Sequence, residues 1–140
     1  MRFPLEIHAE EHRDPVIRTL LAINEVEQSI TFAGDIPEGA RARLMKPSMD
    51  SLMGGAGQAV QEITRANHHT GLGLVVSCVG RRIVMKEEVE EELEQMEAAL
   101  GERVQLTGFY SYGEIAPLRD RPQQCQLHNQ TVVLTTIYEP

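Results

Sequence analysis

The segment Leu72-Gly73-Leu74-Val75-Val76-Ser77-Cys78-Val79 constrains this chain more than any other. It is an almost unbroken apolar run without a charge, too short for most helices, and it reads as a strand buried on both faces. Such a strand needs a neighbour on each side and a layer above and below it. Downstream, Val89, Leu93, Met96 and Leu100 step by four, three and four residues, a narrow helical stripe, and Gly101 follows where a helix stop belongs. Val104 to Tyr110 then returns as a strand. The unit from Leu72 to Phe109 is therefore expected to be a parallel pair joined by a right-handed crossover.

The flanking segments complete the architecture. Arg2 to His8 and Val16 to Asn24 alternate as strands do, separated by the polar Glu10-Glu11-His12-Arg13-Asp14-Pro15. Asn24-Glu25 begins a turn, and Ser29 to Phe32 reads as the returning arm of a hairpin. Gly34 to Gly39 is punctuation, and Ala40 to Met45 alternates apolar with basic residues as a half-buried strand should. Ser48 can cap a helix with Asp50 in its first turn, and Leu52, Ala56, Ala59, Val60 and Ile63 recur at helical spacing. Gly54, Gly55 and Gly57 oppose that helix by ~1 kcal/mol each relative to alanine, which points to close backbone packing in preference to room for a ligand. A loop is expected from Pro117 to Gln126, and Thr131 to Tyr138 closes the chain as a β-branched strand. The order predicts an α+β fold: a mixed, mostly antiparallel sheet with two main helices and one βαβ unit. At 140 residues it is expected to form one domain over 1–140.

The net charge of -8 is localised. Glu87, Glu88, Glu90, Glu91, Glu92, Glu94 and Glu97 fall in one segment, and without them 14 acids face 13 Lys and Arg. The excess belongs to one helix face, read as solvated in preference to an acidic docking surface. No basic stripe offsets it, so nucleic acid is not an expected partner. Hydrophobic residues are 41% and charged residues 24%, the mix of a soluble globular protein, and no apolar run approaches the roughly 20 residues of a membrane span. The opening Met1 to Glu6 has no apolar signal core, and Cys78 and Cys125 form no CxxC motif, so a reduced cytoplasm is the expected setting.

Three segments are too specific for generic scaffold: Val76-Ser77-Cys78-Val79-Gly80-Arg81-Arg82, Gly108-Phe109-Tyr110-Ser111-Tyr112-Gly113-Glu114-Ile115-Ala116-Pro117, and Leu127-His128-Asn129-Gln130-Thr131. Together with Asp35 to Gly39, Arg43-Leu44-Met45 and the aromatic-proline opening Phe3-Pro4, they resemble the C-terminal half of the FIST domain, a sensory module of bacterial signalling proteins. The resemblance spans nearly the whole chain and implies a non-catalytic domain that senses a small molecule, amino acids being candidates. It also implies partners in cis or trans: an N-terminal FIST half, outside this sequence, and a signalling output module.

The residues themselves allow a site. Cys78 ends the apolar strand, and ligands of open α/β sheets favour the crevice beyond strand ends. Gly80 permits a turn that places Arg81 and Arg82 at that rim, where an Arg can pair with a carboxylate through two N–H donors. Tyr110, Ser111, Tyr112 and Glu114 follow the neighbouring strand and can supply hydroxyls and a carboxylate for an α-amino group, with His128 and Asn129 joining them. Each has a plainer reading. Cys78 suits a small buried hydrophobe. One of Arg81 and Arg82 suits the surface or a salt bridge to the acidic helix, and at least one tyrosine suits the core. Glu114 can cap a turn or pair with an Arg, Asn129 can fix a turn, and His128 can be structural.

Two further readings compete with the sensor. One is a protein-interaction or dimerisation module, a homodimer included, using an edge strand or the Val89 to Leu100 helix. The other is a hydrolase with Cys78 as nucleophile, His128 as base and Glu114 as orienter; against it, Cys78 within a strand lacks the helix N-terminus that lowers a thiol pKa. No cofactor and no metal site are expected, adjacent His68 and His69 diverging on a helix.

Overall fold

A computed structural model describes residues 3–9, 15–46, 48–64, 70–117 and 123–139. His68 and His69, most of the polar link before Pro15 and the middle of the loop after Pro117 lie outside them. Strands β1 (Leu5–His8), β2 (Val16–Arg18) and β5 (Arg41–Leu44) form an antiparallel sheet in the order β2-β1-β5. The expected strand from Val16 to Asn24 divides at the buried Thr19, and its second part, β3 (Leu20–Asn24), forms a separate hairpin with β4 (Ser29–Phe32). Gln28 in the turn has φ +50°.

The second sheet has the order β10-β6-β7, with β6 (Gly71–Cys78) at its centre. β6 runs parallel to β7 (Val104–Ser111) and antiparallel to β10 (Val132–Tyr138), so the mixed sheet and the parallel pair follow the apolar run. Helices α1 (Met49–Thr64) and α3 (Val89–Leu100) pack on one face of it. Val75, Ala56, Val60 and Met96 form the buried cluster there, with Leu100, Leu106, Val132 and Leu134 against it. Val60, Val75 and Met96 each stabilise by about 1.5–3 kcal/mol when fully buried. Gly108 is required where β7 meets β6, because a Cβ there would lie 2.0 Å from the Val75 carbonyl oxygen.

The expectation of burial on both faces of β6 is corrected. Leu74 and Val76 are half-buried and Leu72 is 42% exposed, because the helices cover only the opposite face. The missing partial cover is β8 (Glu114–Pro117), which pairs with β9 (Cys125–His128), both within or beside the stretch read as a loop. A third helix, α2 (Val79–Met85), stands where a turn was expected, and a 3-10 turn at Lys86–Glu88 leads into α3. Its glycine and β-branched residues disfavour helix in isolation; burial of Gly80, Arg81 and Met85 overrides them. On α3, Glu90, Glu91, Glu94 and Glu97 are exposed as expected, but Leu93 is 37% exposed while Glu92 is buried. Gly101 ends α3 at φ +74°. The glycines of α1 are also corrected: Gly54, Gly55 and Gly57 are exposed, and a Cβ at any of them would meet nothing within 4 Å.

Candidate functional site

The first two turns of α1, residues Pro4, Ile17, Met45 and Lys46 from the β2-β1-β5 side, and the approach to β10 enclose a cavity of 340 Å3. Arg81, on α2, is the arginine of its wall. α2 turns Arg81 inward to 4% exposure, where Nη2 donates to the Leu52 carbonyl of α1 at 2.9 Å and pairs with the Glu92 carboxylate of α3. Nε has no partner. Gln130 and Thr131 complete the wall with Val132; the Gln130 amide nitrogen is likewise buried without a partner. Gln130 has φ +55° and follows β9, a conformation that sets its side chain across Gly80. The walls carry Lys46, Ser48 and Ser51 as further polar groups, and no Asp or Glu among the described lining residues. Ser48 caps α1, its Oγ accepting from the Ser51 amide at 3.3 Å.

The other residues singled out from the sequence do not share that cavity. Consecutive residues of a strand face opposite sides, so Tyr110 lies on the helix side of the sheet and Ser111 on the other. Tyr110 lines a separate 230 Å3 cleft with Ser77, Val89, Glu92, Leu93 and Leu106. The Arg82 guanidinium stacks on its ring, 4.8 Å from the centroid, at the surface. Tyr112 is 82% exposed. On the other face, Glu114 is 2% exposed and accepts hydrogen bonds from the Ser111 and Thr131 hydroxyls, each at 2.6 Å. The single rim expected for Cys78, the arginines, the tyrosines, Glu114, His128 and Asn129 is thus divided by the alternation of β7.

Asn129 and His128 belong to a buried junction between the sheets. The Thr19 amide donates to Asn129 Oδ1 at 3.1 Å, and Asn129 Nδ2 donates to the His128 carbonyl at 3.1 Å. Arg18, 4% exposed, donates to the Leu127 carbonyl at 2.9 Å and through Nε to the Asp35 carbonyl at 2.9 Å. Burial lowers the Arg18 pKa, opposed by the charge of Asp35. His128 Nε2 donates to the Ala116 carbonyl at 3.2 Å; burial holds its pKa below the ordinary value, with the Ala116 bond and Glu114 opposing and Arg18 reinforcing the shift. Cys78 is 3% exposed and stands at the N-cap of α2, so the expectation that it lacks a helix N-terminus does not hold. Among the described residues no group of three or more His, Cys, Asp and Glu gathers to hold a metal ion, and no helix is long and apolar enough to cross a membrane.

The FIST C domain family model matches residues 1–117. The chain belongs to the FIST C domain family. The match includes the β6-α2 segment with Arg81 and the Gly108 to Pro117 segment, while the Leu127 to Thr131 segment lies beyond it. No curated protein and no solved structure matches the chain. The FIST C family is a sensory-type domain of signal transduction.

Sequence reasoning placed Arg81 in a site and missed Gln130, Lys46, Ser51, Glu92 and Arg18. Gln130 lies inside the Leu127 to Thr131 segment, and its place beside Asn129 in a turn was the available signal. Glu92 was hidden by its six acidic neighbours, although its spacing of four from Met96 put it on the buried stripe. Arg18, a charge within the Val16 to Asn24 run, gave no indication of its partner Leu127, 109 residues away.

Proposed function

We propose that this FIST C domain is a non-catalytic sensor of a small molecule, with amino acids as candidates, in a bacterial cytoplasmic signalling protein. The observation that carries the reading is the cavity against Arg81, whose size falls in the range of small-ligand pockets. Its walls come from both three-stranded sheets and two helices, so an occupant contacts four elements at once. That is what a sensor requires: a ligand changes a conformational equilibrium only through contacts that differ between states. The burial of Cys78 supports the absence of thiol chemistry, since a nucleophile must be reached by its substrate. A thermal-shift screen of the twenty amino acids tests the reading: at least one raises the melting temperature of the parent and not of an Arg81→Ala variant that still folds. No shift by any of them, nor by a broader panel of metabolites, contradicts it.

A docking role has its own supporting observation. β7 is an edge strand of the β10-β6-β7 sheet with neither charge nor proline, and Leu72, Phe109 and Ile137 are exposed on the face away from the helices. Such an edge favours pairing with another chain unless it is covered. Concentration-dependent sedimentation distinguishes this reading, because a docking module self-associates or captures its FIST partner half without any small molecule.

A further inference from the structure

Two residues of the cavity wall, Arg81 and Gln130, hold donor atoms that are buried and without partners. Arg81 is 4% exposed, and Glu92 and the Leu52 carbonyl both engage its Nη2 atom, leaving the Nε–H without a partner. The Nε2 group of Gln130, another residue of the wall, is buried and unpaired as well. Buried donors without partners are rare and reduce stability, and packing alone gives no reason for two residues of one cavity wall to hold them. The rest of the polar wall is one cation and neutral hydroxyls. Lys46 lies there, and Ser48, Ser51 and Leu52 are the opening of α1, a 16-residue helix whose first amides carry partial positive charge.

We infer that this cavity binds an oxyanion, the carboxylate or phosphate group of a small molecule, through the Arg81 Nε–H and the Gln130 amide. The inference rests on the cavity being the ligand site. Lys46 and the start of α1 add positive potential, while Ile17, Met45 and Val132 cover a short apolar body. Both donors, buried and unpaired in the free protein, gain an acceptor when the wall rearranges around the occupant. Arg81 also holds Leu52 of α1 and Glu92 of α3, so an oxyanion engaging it acts on both helices that cover the second sheet.

The test uses the full chain in phosphate-free buffer, with four probes: butyrate, inorganic phosphate, and the shape-matched controls butyramide and butylamine. Nitrogen-proton correlation spectra read the Arg81 Nε–H signal, and thermal shift reads stability. Butyrate or phosphate is expected to move that signal and raise the melting temperature, with butyramide at least about tenfold weaker, the loss of one charge-assisted bond. Whichever of the two binds more tightly assigns the group as carboxylate or phosphate. Gln130→Met, which removes an unpaired donor and keeps the shape, is expected to leave the melting temperature unchanged or higher while weakening oxyanion binding about tenfold or more. Butyramide or butylamine binding as tightly as both anions, or Gln130→Met binding them like the parent, overturns the inference. If the controls bind in the cavity and the anions do not, sensing stands and the oxyanion falls. If no small molecule of any class binds, sensing itself fails.

Discussion

Replacing Glu92 by alanine should cost far more than any change to its acidic neighbours. Glu92 is 3% exposed and Arg81 4%, and Glu92 supplies the only charge that faces the guanidinium in the structure described. Without it Arg81 keeps one bond, to the Leu52 carbonyl, and a charge that water cannot reach. Breaking a buried pair from one side costs about 3–5 kcal/mol, a large share of the roughly 5–15 kcal/mol that holds a domain folded. Reversing the exposed Glu91 to Lys should change stability by no more than ~0.5 kcal/mol. Urea unfolding at low and high salt measures both, with an unchanged m-value confirming that the native state is altered and not the denatured one. The Glu92 effect should persist in salt, because buried charges are little screened. The double variant Arg81→Met with Glu92→Leu should recover most of the loss, since removing both charges leaves nothing unpaired. A Glu92→Ala cost within ~0.5 kcal/mol of that for Glu91→Lys would refute the reasoning.

Three further outcomes follow from the same geometry. Gly54→Ala and Gly57→Ala should each stabilise the protein by about 0.5–1 kcal/mol in urea unfolding, because α1 gains propensity and the new methyl meets open space. Asn129→Ala should destabilise by roughly 2–3 kcal/mol, leaving the Thr19 amide and the His128 carbonyl without their partner, and thermal unfolding would show it. The depressed pKa of His128 means that the unfolded chain takes up the proton first as pH falls, so this contribution to stability is complete above about pH 6.5 and is lost progressively below it, towards the folded-state pKa. His128→Gln should flatten that part of the stability profile; an unaltered profile would show that His128 does not titrate differently in the two states.

The parts of the fold legible in the sequence are those whose burial repeats along the chain. The apolar run of β6, the Met96 and Leu100 stripe of α3 and the Gly101 stop each rest on local periodicity, and the parallel β6-β7 pair follows from them. What stayed hidden depends on partners distant in sequence. α2 exists because Arg81 and Met85 find burial, not because Val79-Gly80-Arg81-Arg82-Ile83 favours a helix. β8 and β9 are four residues each, too short to show an alternation that distinguishes strand from loop. In the site, a buried glutamate among exposed ones looks the same as they do until the helix is docked. Residue types alone assembled Cys78, Tyr110 and Glu114 at one rim; the pleat of β7 sends Tyr110 and the Glu114 network to opposite faces.

The account turns on where a small molecule lands. Uniformly labelled protein titrated with each amino acid that raises its melting temperature, and followed by backbone and arginine side-chain correlation spectra, answers that directly. The largest saturable shifts should fall on Ile17, Met45, Leu52, Gly55, Arg81 and Gln130, walls of the Arg81 cavity, and need about tenfold or more ligand in a folded Gln130→Met variant. Saturable shifts confined to β7 and the open face around Leu72 and Ile137, with Arg81 and Gln130 unmoved, would contradict it.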